Sequence, residues 1–331
     1  MILTNPYWNE EVKLVRNTIL VTGGAGFIGS HLVETLAKKE TSTIVVFDNL
    51  STGCLENIPD QKNVLFIQGN VHHEADIAHL FRSFSFDYIY HLAAVASVAE
   101  SVQQPLATHQ VNMDATIYLL EAARAQEKTV RKFIFASSAA VYGAEPTLPK
   151  TENSVIDPIT PYGIDKYASE KYVTSYGHLY GLNVAVARFF NVYGPRQNPA
   201  SPYSGVLSIL TEVAQQVKQG KTGLFQVFGD GEQVRDFVFV EDIVQGLILL
   251  STKEESQANA FNIGSGEKHS LRDIIAAYET LLDMVIPVAY RKARAGDIKY
   301  SYASIEKITK LGYRPKFSIM QGLEKYMAWM N

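Results

Sequence analysis

From residue 17 the chain alternates short, nearly continuous apolar runs with longer stretches in which apolar residues recur every three or four positions. The runs are NTILVT (17–22), TIVVFD (43–48), NVLFIQ (63–68), DYIYHLA (87–93), KFIFAS (132–137) and NVAVARFF (183–190). They have strand length and are rich in β-branched and aromatic residues. Strands apolar on both faces are expected where helices cover both sides of a sheet, so the pattern predicts parallel strands joined by crossover helices. The predicted helices follow the first strand to residue 39, cover about 105–126, and begin again near Tyr162. This parallel core runs to about residue 190 without an internal repeat or low-complexity linker.

Beyond residue 190 the texture changes to Pro- and Gly-containing loops such as NVYGPRQNPASPYSG. Helices are predicted near 205–219, 240–251 and 270–282, with short strands at FQVF, FNI and IPVAY. VEDIVQGLILL has the apolar content to return to the sheet. The predicted organisation is an N-terminal extension over 1–16, a doubly wound α/β domain over 17–190 with a return near 235–263, and a mainly substrate-binding lobe over 191–331. Tyr7 and Trp8 are costly to leave in water, so the extension is expected to pack on the body.

Composition narrows the possibilities. A chain of 331 residues that is 47% apolar can bury a large core. The net charge is −4 with Lys and Arg dispersed, so no basic face is available for a phosphate backbone and nucleic acid is not an expected partner. A single cysteine, Cys54, excludes an intrachain disulfide or multi-cysteine metal site and reads as a loop thiol. His72 and His73 form the close histidine pair, in a polar stretch, and no metal is assigned. No apolar run approaches the roughly 20 residues of a membrane span. Glu10 and Glu11 do not suit a signal peptide, and a cytoplasmic protein is expected.

Chemistry enters at the strand ends. ILVTGGAGFIGSHL sets Gly23, Gly26 and Gly29 in a G-x-x-G-x-x-G spacing between the first strand and first helix. Such glycines permit a tight turn and close backbone approach, so that helix N–H groups can hold a pyrophosphate in a Rossmann-like fold. Asp48 ends the second strand about 20 residues further on, where a carboxylate accepts hydrogen bonds from an adenosine ribose. It repels a 2′-phosphate, which favours NAD over NADP. Tyr162 and Lys166, at i and i+4, share one helix face. There the ammonium is expected to lower the phenol pKa, making Tyr162 a base near neutral pH, and to reach a nucleotide ribose. SSAAVYG (137–143) closes the strand before them, at the end where open α/β sheets carry their chemistry.

TGGAGFIG, DNLSTG, HLAA, SSAAVYG and YGIDK together resemble the extended short-chain dehydrogenase/reductase superfamily, and specifically its nucleotide-sugar 4-epimerases, over residues 17 to about 325. The resemblance implies NAD as cofactor and Ser138, Tyr162 and Lys166 as the catalytic group, with Ser138 bonding the reacting sugar hydroxyl and relaying its proton to Tyr162. Ser137 supports Ser138 or contacts the sugar. Cofactor contacts are implied for Phe27 and Ile28 in the glycine loop, and for Asn49, Ser51, Thr52 and Gly53 in DNLSTG. They are implied also for Asn70 and Val71, for Leu92, Ala93 and Ala94 in HLAA, and for Asn112 and Phe189. Relatives usually carry Asp at position 70 to bond the adenine amino group, a bond Asn can also accept.

For the sugar nucleotide, the resemblance implies contacts from Asn191 in RFFNVYGPRQNP and from Gly205, Val206, Gln226 and Phe228. Arg235 and Arg294 are implied as charge-assisted donors to the diphosphate, and Asp297 as acceptor for the uridine ribose. Relatives often carry Asp at position 304, which is Ser304 here. At position 301, epimerases restricted to unsubstituted hexoses carry Tyr; Ser301 leaves room beside C2 for an N-acetyl group, or is a plain loop residue before a helix. Related dehydratases and decarboxylases resemble S-T-D-E-V-Y-G and S-T-S-E-V-Y-G, where this chain has Ala139 and Ala140. Once a C4 ketone forms, neither alanine can act as acid or base, so the ketone can only be reduced again.

The expected function is NAD-dependent inversion at C4 of a UDP-hexose, including N-acetylated sugars, through a transient 4-keto sugar. Two other readings stand beside it. A UDP-glucuronate 4-epimerase would use Arg196 in GPRQ to meet a carboxylate, although that motif usually continues with another Arg and PDMA, and NPASPYSGV follows here. A nonenzymatic NAD-binding regulator is opposed by the intact Ser138, Tyr162 and Lys166. Family resemblance also implies a homodimer through a four-helix interface of the helices near 105–126 and 162–180.

Overall fold

A computed structural model describes residues 17–197, 205–293 and 298–330. The expected extension over 1–16 lies outside the described residues. Strands and helices alternate as β1 (Asn17–Thr22), α1 (Phe27–Ala37), β2 (Ser42–Asp48), β3 (Val64–Gln68), α2 (Glu74–Ser83) and β4 (Tyr88–His91). There follow α3 (Val98–Gln103), α4 (Pro105–His109), α5 (Ala115–Ala125), β5 (Lys132–Ser138), α6 (Pro161–Tyr180) and β6 (Val184–Phe189). Then come β7 (Asn191–Tyr193), α7 (Val206–Lys218), β8 (Phe225–Phe228), β9 (Val234–Arg235), β10 (Phe237–Phe239), α8 (Val240–Thr252) and β11 (Asn259–Ile263). The chain ends with β12 (His269–Ser270), α9 (Leu271–Leu282), β13 (Val288–Arg291), β14 (Tyr300–Ser301), α10 (Glu306–Lys310) and α11 (Ile319–Met330).

Seven strands form one parallel sheet in the order β11-β6-β5-β4-β1-β2-β3. The order reverses between β1 and β4, the switch point outside whose carboxyl ends ligands bind in open α/β sheets. Neighbouring residues such as Leu20 and Val21, or Phe133 and Ile134, point to opposite faces and are all fully buried. Helices therefore cover both faces, as the unbroken apolar runs predict. On one face Leu20, Phe47, Ile89, Phe133 and Val186 share a core with Leu80 of α2, Leu119 of α5 and Val173 of α6. Each such side chain contributes about 1.5–3 kcal/mol by leaving water.

The chain divides into two compact units. The first holds the chain up to Val141, Pro158–Arg188 and Val244–Phe261; the second holds Tyr142–Asp157, Phe189–Ile243 and Asn262–Asn331. The return is thus narrower than 235–263, and residues 142–157 leave the expected 17–190 domain. Their reason is pairing within the second unit: Lys150 donates its N–H to the Tyr302 carbonyl at 2.9 Å and accepts from Ser304 N–H at 2.8 Å. In that unit β9 lies between β12 and β14, β7 pairs with β10, and β8 pairs with β13. Helices α7, α9 and α11 pack together, and Leu210, Tyr278 and Leu323 on them are buried.

Local chemistry explains the helix that matters most for the site. At the start of α6, Thr160 accepts a hydrogen bond from Gly163 N–H at 3.3 Å, and Pro161 occupies the first turn. Gly181, left-handed at φ 70°, ends it. The helix predicted over 105–126 is α4 and α5 joined by a π turn at Gln110–Asp114. No helix among the described residues is long and apolar enough to cross a membrane.

Candidate active site

The glycine loop leaves β1 with Gly23 at φ 70°, its N–H held by the Phe47 carbonyl at 2.9 Å. A Cβ on Gly23 would lie 2.7 Å from Ala93 N, one on Gly29 2.1 Å from the Gly23 carbonyl oxygen, and one on Gly53 2.7 Å from the Ala25 carbonyl carbon. These backbone approaches bring the loops after β1, β2 and β4 together, so only glycine fits at these positions. Gly26 caps α1, with Phe27 and Ile28 in its first turn.

Asp48 is 8% exposed at the end of β2. Its carboxylate accepts from Ala25 N–H at 3.0 Å and Leu50 N–H at 2.8 Å, which leaves further lone pairs on both oxygens. Asn49 accepts from Ser51 N–H at 2.9 Å and donates its side-chain amide to Asn70 Oδ1 at 2.6 Å. Asn70 thus has one of its two oxygen lone pairs already engaged, and Asn49 has taken a share of the acceptor expected for adenine. Thr52 is exposed, Val71 buried, and Leu92, Ala93 and Ala94 lie directly after β4.

Asn112 is among the expected cofactor contacts. It is buried on the π turn, and both ends of its amide are used by the backbone of Val95: Oδ1 accepts the N–H at 2.9 Å and Nδ2 donates to the carbonyl at 3.0 Å. Its place is to anchor the loop after β4. His91, which the sequence reading passed over, has a related position. It bonds Thr22 at 2.8 Å and Thr116 at 3.2 Å, joining the ends of β1 and β4 to α5. Burial first, and then the charge of Lys166, push His91 down to about 3, so it is neutral.

Ser138, Tyr162 and Lys166 come together where β5 meets α6. The Ser138 hydroxyl faces the buried Tyr162 phenol and accepts from Ala140 N–H at 3.2 Å. Burial pushes the phenol above its ordinary value, and the Ser138 hydrogen bond pulls it partly back. The Lys166 ammonium donates to the Ala136 carbonyl at 2.9 Å and lies 4.9 Å from the Phe135 ring centre. Burial pushes Lys166 itself down to about 8, against the opposing charges of Asp165 and Glu170. Ser137, expected to support Ser138 or to contact the sugar, is buried, and its hydroxyl donates to Glu170. Ala139 and Ala140 begin the short 3-10 turn after Ser138.

In the second unit, Phe189 closes β6 and Asn191 opens β7, where the Asn191 backbone and side-chain amides both donate to the Asp236 carbonyl at 3.0 Å. Gly205 and Val206 begin α7. Gln226 is exposed and Phe228 half-buried on β8. Arg235 on β9 is the register partner of Ser301 on β14, so the expected diphosphate donor and the expected C2 neighbour are adjacent in one sheet. Ser301 is half-buried in a paired strand, not a loop. The Arg235 guanidinium donates to the Val234 and Lys299 carbonyls at 2.9 and 3.3 Å. Arg294 and Asp297 lie outside the described residues.

The family model described as GDP-mannose 4,6 dehydratase matches residues 20–326. The chain belongs to this family. A UDP-glucose 4-epimerase from Thermotoga maritima, solved with UDP-glucose, is 36% identical with a TM-score of 0.87 over 95% of this chain and 98% of that one. A UDP-N-acetylglucosamine 4-epimerase from Methanobrevibacter ruminantium, in complex with UDP-N-acetylmuramic acid, is 34% identical with a TM-score of 0.87 over 95% and 98%. A UDP-glucose 4-epimerase from Thermus thermophilus, in complex with NAD, is 35% identical with a TM-score of 0.84 over 94% and 98%.

The family's name is that of a dehydratase, and elimination needs an acid or base beside the ketone. On the two residues directly after Ser138, Ala139 and Ala140, this chain carries neither group. The nucleotide-sugar 4-epimerases, which this family member resembles along nearly its whole length, need no such group.

Proposed function

We propose that this protein is an NAD-dependent 4-epimerase of UDP-sugars that acts on UDP-hexoses and their N-acetylated forms. What supports the reading is the Ser138 hydroxyl facing the buried Tyr162 phenol and followed directly by two alanines: groups suited to moving one hydroxyl proton, with no acid or base on the two residues that follow. The close-packed glycine turn and the Asp48 carboxylate suit a dinucleotide, Gly26 leading into the helix and Asp48 toward a ribose. NAD, when bound, supplies the hydride acceptor and donor at C4. Tyr162 removes the O4 proton through Ser138 and returns it after the keto sugar has turned over. Lys166 holds a ribose and keeps positive charge near the phenol.

Arg235 and Arg294 bind the diphosphate in this reading, with Asp297 on the uridine ribose, while contacts to the sugar stay weak enough for it to rotate. Ser301 leaves space for the N-acetyl group. The protein acts as a homodimer: Leu106 on α4, and Ile164 and Leu179 on α6, are exposed apolar residues on the helices expected to pair.

Assay of the purified protein with UDP-glucose, UDP-N-acetylglucosamine and UDP-glucuronate in parallel tests the reading. Interconversion of C4 epimers without added reductant is expected for the first two. Turnover of UDP-glucuronate alone would replace the hexose reading with the uronate one. NAD binding without any epimerisation would make the protein a regulator. Sedimentation at micromolar concentration is expected to show a dimer.

A further inference from the structure

Glu170 and Arg188 form a buried ion pair that the proposed reaction does not use. Arg188 Nε donates to Glu170 Oε1 at 2.9 Å and Nη2 to Oε2 at 2.7 Å, and both side chains are nearly sealed from solvent. Burying two charges is costly, and apolar residues of similar volume often fill such a space as well or better, so bulk stability alone does not account for the pair. Its surroundings suggest another role. Glu170 follows Tyr162 and Lys166 at i+8 and i+4 on the same face of α6. These three residues engage three consecutive residues of β5: Tyr162 meets the Ser138 hydroxyl, Lys166 the Ala136 carbonyl, and Glu170 the Ser137 hydroxyl. Arg188, on the adjacent strand β6, fixes the carboxylate from the other side.

We propose that Ser137, Glu170 and Arg188 are a positioning unit that locks the end of β5 against α6 and so sets the Ser138 hydroxyl on Tyr162. Ser137 is covalently next to Ser138, and its charge-assisted hydrogen bond removes the freedom of the strand end just where the chain turns into the 3-10 segment. Proton relay needs hydroxyl and phenol in fixed alignment, and a small misplacement is expensive in rate. None of the three is a catalytic residue; they act through Ser138.

This inference rests on the epimerase reading, and the test separates the two. Ser137→Ala keeps the ion pair and removes only the hydroxyl; Ser137→Thr keeps a hydroxyl. In Ser137→Ala, kcat is expected to fall about tenfold while KM and NADH affinity stay within about twofold. Hydrogen exchange of residues 138–142, measured without ligand, is expected to rise about tenfold with the rest of the protein unchanged. Ser137→Thr should recover most of both. Unchanged kcat and exchange in Ser137→Ala would overturn the proposal, as would a loss shared equally by Thr and Ala, or a fall in kcat accompanied by loss of NADH binding and global protection. A wild-type protein inactive on every UDP-sugar would sink the epimerase reading alone, because the exchange measurement still decides whether Ser137 holds the strand end.

Discussion

Strands of the central sheet run from four to seven residues, and in β2, β5 and β6 nearly every side chain on both faces is buried. Those confined to the second unit run from two to four, in three small sheets. The difference matters for function. Ser138, Tyr162 and Lys166 hang on long, close-packed elements whose positions are set by a shared core, whereas Arg235 and Ser301 sit on two-residue strands held by a few backbone hydrogen bonds. In the proposed function, the chemistry that must be aligned lies on these close-packed elements, and the contacts that select the sugar lie on the short strands, where a substitution disturbs little else.

The largest way to break this contrast is to remove the base. Tyr162→Phe deletes the phenolic oxygen that meets Ser138 and leaves the ring in place, so activity is expected to fall by about 10²–10⁴ while NADH still binds. A variant that keeps more than a tenth of wild-type kcat would assign the proton to another group. Gly29→Ala comes next. The added Cβ would sit 2.1 Å from the Gly23 carbonyl oxygen, a backbone atom that cannot step aside without opening the turn. NADH affinity is expected to drop at least about tenfold, with a lower melting temperature, the steric cost being on the order of 1–3 kcal/mol. The same substitution at Gly220, which has nothing within 4 Å but a φ of 71°, should cost only the backbone strain and spare NADH binding.

Much of the first unit was legible because unbroken apolar runs announce doubly covered strands. Less local features were not. Helix α2 buries only Ile77 and Leu80, too few to mark a periodic face clearly. The π turn around Asn112 has no spacing signature, and its use of the Val95 backbone joins residues 17 apart. Ser137 could be read as a support or a sugar contact, since its partner Glu170 is 33 residues away and only the fold brings them together. In the second unit, a two-residue strand carries no periodicity at all, so the pairing of Arg235 with Ser301 was not readable in advance.

Lys166 offers a sharper probe of the rigid part. Its folded pKa, about 8, lies below the value near 10.4 of an unfolded lysine. Below pH 8 both states hold the proton; between about 8 and 10.4 the unfolded chain binds more, so this group's contribution to stability rises with pH across that window. Lys166→Met is therefore expected to be more stable than wild type at pH 7, with the advantage shrinking by up to about 3 kcal/mol as pH approaches 10.4. Urea melts of both proteins at the two pH values measure it. A constant difference would mean that Lys166 is not desolvated as its burial implies.

The smallest expected effect tests the adaptable part. Ser301 is half-buried on β14 with its backbone carbonyl accepting from Asp236 N–H at 3.1 Å, so its side chain can change without removing that bond. Ser301→Tyr adds an aromatic ring to the wall proposed beside C2, and extra bulk in a packed wall costs about 1–3 kcal/mol. The expected result is a loss of about tenfold to a hundredfold in kcat/KM for UDP-N-acetylglucosamine, with UDP-glucose changed by only a few fold. Binding of the diphosphate is common to both substrates and cancels in the ratio. Equal losses on both would show that Ser301 supports the β9–β14 pairing and does not gate the pocket, and a fall in melting temperature alongside them would locate the damage in the sheet. A wild-type enzyme that ignores UDP-N-acetylglucosamine would remove the size argument at its first step, leaving the contrast between rigid chemistry and adaptable recognition to rest on the Tyr162 and Lys166 measurements.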